Sequence, residues 1–473
     1  MSIAVGRIGA ALGVGPAAAW LIVATGVISV SGLAAVTTSQ GMLPIALGVV
    51  LLGLVTLVGI RLPLALLLIF VALIPIEEIA IIGGFGTLSR FAGIVFAVAY
   101  VGSQVGRVKF TVIPVAIWAY LAWAILSIGW AIDPTVAWAQ LTTLIQLVLI
   151  AALVADFVVH RPTIVRPVMW VYSVSAAATA VVGIQTYLAN GVGDSRAAAI
   201  DDQNPATFAA VLLPAFVFGL YEITNGQRRI AGAAITALTA AGILVSGTRG
   251  AWVAVVVVVV FVLLPQLRPR RRIAAIVMAV ALGAVLYQLP GVPDLLAERT
   301  GTAVSTGGAG RTDIWSVAGS IYATAPVLGV GFANFPVAYT PDMVRAANVD
   351  RLVYAGRAPH NAVIGTLIEL GPIGLLLVAL AFGPLVIRRG WGPDAPAIQA
   401  ALVSMLTLAL FLDMLTHRKQ VWLVVGLAAG LLYLARQARE TAAREAGPEG
   451  ETGRPHSEDN SRTSISGTSI PSL

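Results

Sequence analysis

The chain has 473 residues, of which 58% are apolar and only 11% charged, against roughly 25% charged in an ordinary soluble domain, which excludes a soluble enzyme. Its formal charge of +7, from 29 basic and 22 acidic residues, is too small to build a nucleic-acid surface. Cysteine is absent, so disulfides, thiolate metal sites and a cysteine nucleophile are excluded as well.

In chain order, Arg7 precedes an apolar run near 17–36 that is too long for a signal-peptide core and reads as a retained signal anchor. Further apolar runs lie near 42–60, 62–76, 88–105, 111–131, 138–158, 164–188, 204–223, 229–246, 249–265, 272–289, 361–387, 397–415 and 420–436. They predict an all-α polytopic membrane protein, a bundle of about 12–14 transmembrane helices over residues 1–436. With the N-terminus in the cytoplasm, Arg61, Arg107, Lys109, Arg161, Arg166, Arg228, Arg229, Arg268, Arg270, Arg271, Arg272, Arg388, Arg389 and Arg436 fall inside, as the positive-inside rule asks.

This threading leaves Arg196, Arg249, Arg299, Arg311, Arg345, Arg351, Arg357, Arg418 and Lys419 outside, against the bias. Most of them belong to the segment 290–360, the one expected external loop long enough to fold and hence the expected working surface. Within it Ile314, Val317 and Ile321 share one helical stripe, while Asp313, Ser316, Ser320 and Thr324 share another, which predicts a short amphipathic helix. Residues 305–310 before it are glycine-rich, and 326–335 after it are rich in turn formers. The polar, Ser/Thr/Glu-rich segment 437–473 reads as a disordered cytoplasmic tail.

Three constellations carry possible chemistry. Ser246, Gly247, Thr248, Arg249, Gly250, Ala251 and Trp252 stand at the expected outer mouth of a span, where Arg249 is either a snorkelling interface charge or a ligand contact. Gly310, Arg311, Thr312, Asp313, Ile314 and Trp315 open the amphipathic helix, with Arg311 either solvated or functional. Pro359, His360 and Asn361 stand where the loop re-enters the bundle, and Glu369, an ionisable group within the following span, leans functional because its unpaired burial is expensive.

In this order the pieces resemble the O-antigen ligase and O-antigen polymerase superfamily of membrane glycosyltransferases. The resemblance covers roughly residues 190–425. It rests on Arg249-Gly250, the Gly-Arg-x-x-x-Trp helix from Gly310 to Trp315, the Pro-x-Leu-Gly-x-Gly-x-x-Asn-Phe turn from Pro326 to Phe335, and His360-Asn361 with Glu369 and Gly371. Arg196 and Asn204 also look like the family's Arg and Asn just before a span.

The resemblance implies a GT-C-like bundle in a bacterial plasma membrane. Such an enzyme moves a glycan from an undecaprenyl or other polyprenyl diphosphate carrier to an envelope glycan, glycolipid or glycoprotein acceptor on the outer face, with no nucleotide sugar, metal or other cofactor. It assigns Arg249 and Arg311 to the diphosphate, and His360 to proton acceptance or donor binding. Arg196, Asn204, Asn361 and Glu369 join them as substrate contacts.

Arg418 and Lys419, beside His417, read as contacts to the carrier diphosphate or to anionic headgroups, or as helix caps. Asp201-Asp202 could present carboxylates to a metal, but no second acidic cluster completes an octahedral site, so no metal is expected. A polymerase of lipid-linked repeats shares the same pattern. A transporter or flippase would instead carry polar residues near midplane in both halves of the chain. Single cysteines in this cysteine-free chain test the threading: an impermeant maleimide should label intact cells at residue 345 and not at residue 270, and the reverse pattern would overturn it.

Overall fold

The computed structural model describes residues 62–78, 81–82, 86–189, 198, 204–225, 228–266, 268–288, 292–305, 310–349 and 356–445. The first two apolar runs, Arg196, Asp201, Asp202, Arg351, the side chain of Arg299 and everything past 445 lie outside the described residues.

From the third run onward each apolar stretch contains a helix. These are α1 (Pro63–Leu73), α2 (Leu88–Ser103), α3 (Val115–Leu126), α4 (Pro134–His160), α5 (Val165–Ala189), α6 (Pro205–Asn225), α7 (Arg229–Val245), α8 (Arg249–Val257) and α9 (Pro269–Tyr287). The loop segment supplies α10 (Val292–Ser305), α11 (Arg311–Thr324), α12 (Phe335–Ala338) and α13 (Pro341–Ala346), and the chain closes with α14 (Ala362–Ile387), α15 (Ala395–Ala409) and α16 (Lys419–Glu445). A two-residue antiparallel pair, β1 (Ile81–Ile82) with β2 (Gly86–Thr87), links α1 to α2. Among the described residues five helices are long and apolar enough to cross a membrane: α4, α5 with its preceding turn, α6, α14 and α16. The protein is an all-α polytopic membrane protein.

Local chemistry sets the helix starts. Asp133 caps α4, accepting from the backbone N–H groups of Thr135 at 2.8 Å and Val136 at 3.2 Å, with Pro134 in the first turn where its missing N–H costs nothing. Asn361 caps α14 in the same way, through Val363 at 2.9 Å and Ile364 at 3.1 Å.

Helices α2 and α4 run parallel at a constant offset. Arg90 Nε donates to Gln146 Oε1 at 3.0 Å and Tyr100 Oη to Asp156 Oδ2 at 2.8 Å, each pair 56 residues apart in sequence. Against the other side of α4 lies α16, and Gly426 and Gly430, four residues apart, make that approach possible. A Cβ on Gly426 would stand 2.7 Å from the carbonyl oxygen of Ala151, and one on Gly430 the same distance from that of Ala155. Small residues at this spacing let helix backbones pack closely where no hydrophobic driving force separates lipid from protein.

The two ends of the bundle differ. At one end Asp156, fully buried, accepts from Tyr100 and from the Lys109 backbone N–H at 3.0 Å, and Arg166 makes bonds of 2.9 and 3.1 Å to the buried carboxylate of Glu222. The other end carries the starts of α4, α6, α8, α14 and α16. There the loop segment folds on the bundle with a small core of its own, in which the stripe Ile314, Val317 and Ile321 packs with Phe335, Tyr339 and Ile368.

The close α4–α16 contact gives a direct test. Gly430→Leu must push the two helices apart and should destabilise the protein by about 1–3 kcal/mol, read as a lower thermal midpoint in detergent. An unchanged midpoint would count against the packing described.

Candidate active site

Helix α7 ends at Val245, and two residues on Gly247 takes a left-handed φ of 62° and turns the chain into α8. Arg249 is the first residue of α8 and is half-buried. Its neighbour Gly250 explains the Arg-Gly pairing in the sequence: a Cβ there would lie 2.6 Å from Cβ of Phe411, so only glycine lets that side chain close over the helix start. On its other side Phe411 lies beneath the guanidinium of Arg311, 5.9 Å from its ring centre, at the edge of cation–π range. One aromatic ring thus bridges the starts of α8 and α11.

Arg311 opens α11 after Gly310, whose φ is 76°. Burial, and then the charge of Arg249, hold its pKa below the usual arginine value, although arginine begins so high that it stays a cation. The segment before α14 is tied to the same helix, since Trp315 Nε1 donates to the carbonyl of Pro359 at 3.2 Å. The next residue, His360, has a left-handed φ of 48°, uncommon for a side chain with a Cβ. Burial pushes the His360 pKa below its ordinary value, and the charges of Arg311 and Arg357 push it further the same way. Its imidazole is therefore neutral at pH 7. Arg249, Arg311, Arg357 and His360 form one electropositive cluster where three helices begin.

The turn-rich stretch 326–335 serves a different purpose. Helix α14 breaks at Gly371, with φ 68° and ψ −174°, ahead of Pro372, which has no N–H to give. The break frees the carbonyls of Ile368, Glu369 and Leu370, and each finds a donor elsewhere: Val330 N–H at 2.9 Å, Gly331 N–H at 2.9 Å and Trp123 Nε1 at 2.9 Å. The backbones approach so closely that a Cβ on Gly329 would meet the Glu369 carbonyl at 2.5 Å. The buried side chain of Glu369 reaches back to accept the Phe335 N–H at 3.2 Å. Asn334, fully buried, clamps the turn to the start of α4, with its Oδ1 accepting Asp133 N–H at 2.6 Å and its Nδ2 donating to the Asp133 carbonyl at 3.2 Å.

The structure brings Arg249, Arg311 and His360 together and gives the other described candidates local partners. Glu369 holds the turn. Asn361 Oδ1 caps α14, and Asn204 Oδ1 caps α6 by accepting Ala206 N–H at 2.9 Å. Arg418 donates to Glu78 at 3.0 Å and to Thr207 at 2.7 Å, and Lys419 pairs with Glu77. Arg196 lies outside the described residues.

Sequence reasoning placed Arg357 outside without giving it a role, although its position three residues before His360 was a usable signal. Phe411 gave none. Replacing Glu369 tests the clamp: Glu369→Ala strands a buried N–H and should cost about 1–3 kcal/mol with faster proteolysis in 326–335, whereas Glu369→Gln keeps an acceptor and should recover most of it. Equal stability of Glu369→Ala and the parent would remove this role.

Residues 234–379 match the family model described as O-Antigen ligase, a stretch that holds Arg249, Arg311, the 326–335 turn, Arg357, His360 and Glu369. No curated protein matches the chain. The matched stretch, which carries the whole electropositive cluster, is therefore similar to the O-antigen ligase family, and the match supports the O-antigen ligase and polymerase superfamily, whose members are glycosyltransferase-like enzymes.

Proposed function

We propose that the protein is an inverting, metal-independent glycosyltransferase of the O-antigen ligase type. It takes a glycan from a polyprenyl diphosphate carrier and joins it to an envelope acceptor at the outer face of the plasma membrane. The observation that carries this reading is the meeting of two helix-opening arginines with a neutral histidine. Helix N-termini already favour anions, and guanidinium forks suit phosphate oxygens, so Arg249 and Arg311 are placed to hold a diphosphate and receive its growing charge.

In the proposed step the acceptor hydroxyl attacks the anomeric carbon as the bond to the diphosphate oxygen breaks. The diphosphate leaves with the bonding pair, and His360 takes the hydroxyl proton. Because the neutral imidazole is the working form, kcat/KM for the donor, which reports the free enzyme, falls as pH drops through the His360 pKa, with a midpoint below the ordinary histidine value of about 6.5. A transporter would put its polar groups near midplane of both halves, whereas this cluster stands at one end of the bundle.

Arg311→Lys keeps a charge but loses the fork and should lower turnover roughly a hundredfold in a folded protein. Near-normal transfer by both Arg311→Lys and Arg249→Lys would end the diphosphate assignment. His360→Gln should still bind the lipid-linked donor while transferring poorly, and loss of donor binding with an unchanged pH profile would make His360 a phosphate contact instead. Turnover should survive EDTA; inhibition that magnesium reverses would return Asp201 and Asp202 as ligands. In a deletion strain, long chains left on the carrier indicate the ligase reaction and single repeats the polymerase reaction.

A further inference from the structure

The parallel packing of α2 on α4 leaves a groove of about 330 Å³ at the same end of the bundle as the candidate site. Its wall is apolar, built from Ile94, Ala97 and Val98 of α2 with Leu147 and Ile150 of α4, and its mouth is polar. At the mouth Lys419 pairs with Glu77, and Thr87 Oγ1 bonds to that same carboxylate at 2.9 Å. Arg90 spends its Nε on Gln146, and among the described residues its two terminal nitrogens make no hydrogen bond. His417, also at the mouth, is pushed down to about 4 by burial and then by Arg418, so it is uncharged at pH 7. Arg90 and Lys419 against Glu77 leave one positive charge above a hydrocarbon-lined trough.

That combination suits an amphiphile with one negative charge and a long apolar chain. A diphosphate carries more charge than this mouth can balance. We propose that the groove seats an anionic phospholipid of the surrounding bilayer, with its phosphodiester at Arg90 and one acyl chain along Ala97, Val98 and Ile150. The proposal does not depend on the glycosyltransferase reading. Its consequence for the site is mechanical: the lipid headgroup sits against His417 and Lys419 and so braces the segment that carries Phe411.

A photoreactive thiol label on Ala97→Cys in the full chain, reconstituted in vesicles of equal phosphatidylglycerol and phosphatidylcholine, tests this. Ile94→Cys at the more exposed edge serves as a second labelling position if the first variant does not fold. Phosphatidylglycerol adducts should exceed phosphatidylcholine adducts, and Arg90→Glu should lower them roughly tenfold, with Arg90→Gln intermediate. A label on Val280→Cys, exposed on α9 away from the groove, should show no such preference. Equal capture of the two lipids, the same preference at Val280, capture of the chain's own residues 1–61, or displacement of the lipid by added polyprenyl diphosphate would each overturn the proposal.

Discussion

A helix that crosses a membrane ordinarily satisfies every carbonyl within itself, because hydrocarbon offers no other donor. Helix α14 does not, since Gly371 leaves the helical region and Pro372 brings no N–H. The freed carbonyls of Ile368 and Glu369 can be buried only because the 326–335 turn supplies two N–H groups to them. Each partner needs the other: the turn has backbone donors with no strand to pair with, and the helix has acceptors with no following turn. That exchange fixes the loop segment on the bundle. Since α11 packs through Ile314, Val317 and Ile321 against the same turn and against Ile368, the position of Arg311 follows from the break.

The break also separates two jobs within α14. Its first part, from the Asn361 cap to Leu370, belongs to the site and keeps His360 in place, with Trp315 holding Pro359 from the side. Its remainder, after Pro372, is a plain apolar helix. Glu369 sits at the joint, and its burial is tolerable because backbone donors of the turn face it. An acidic residue inside a span invites a functional assignment, and the hydrogen bond from the Phe335 N–H gives Glu369 an architectural role.

Much of this fold was legible in the amino-acid order. A bilayer demands long apolar runs, so the helices from 62 onward stand where hydropathy puts them, and the stripe of Ile314, Val317 and Ile321 is buried as its spacing required. Arg249 and Arg311 were readable as out-of-place charges, and these two with His360 as parts of ordered motifs. Pairings across the chain were not. Arg418 meets Glu78 across 340 residues and Lys419 meets Glu77 across 342, and no local pattern announces that these cations are already neutralised. Phe411 was equally silent, because an aromatic residue at the end of an apolar run looks like any other until Gly250 and Arg311 are brought around it.

The electrostatics of the cluster link binding to chemistry on the proposed reading. Two guanidiniums stand at helix N-termini, where the backbone dipoles favour an anion beside them. Burial first, and then the charges of Arg311 and Arg357, hold His360 in its neutral form. When a diphosphate enters, its negative charge offsets the arginines, and the imidazole becomes a stronger base than it was in the empty protein. Proton affinity at His360 thus rises where and when a hydroxyl must be deprotonated, while the arginines remain aimed at the leaving group. One set of cations sets both the strength of the base and the stability of the departing diphosphate, which is why their placement at the helix starts, fixed by the broken helix below them, matters more than their number.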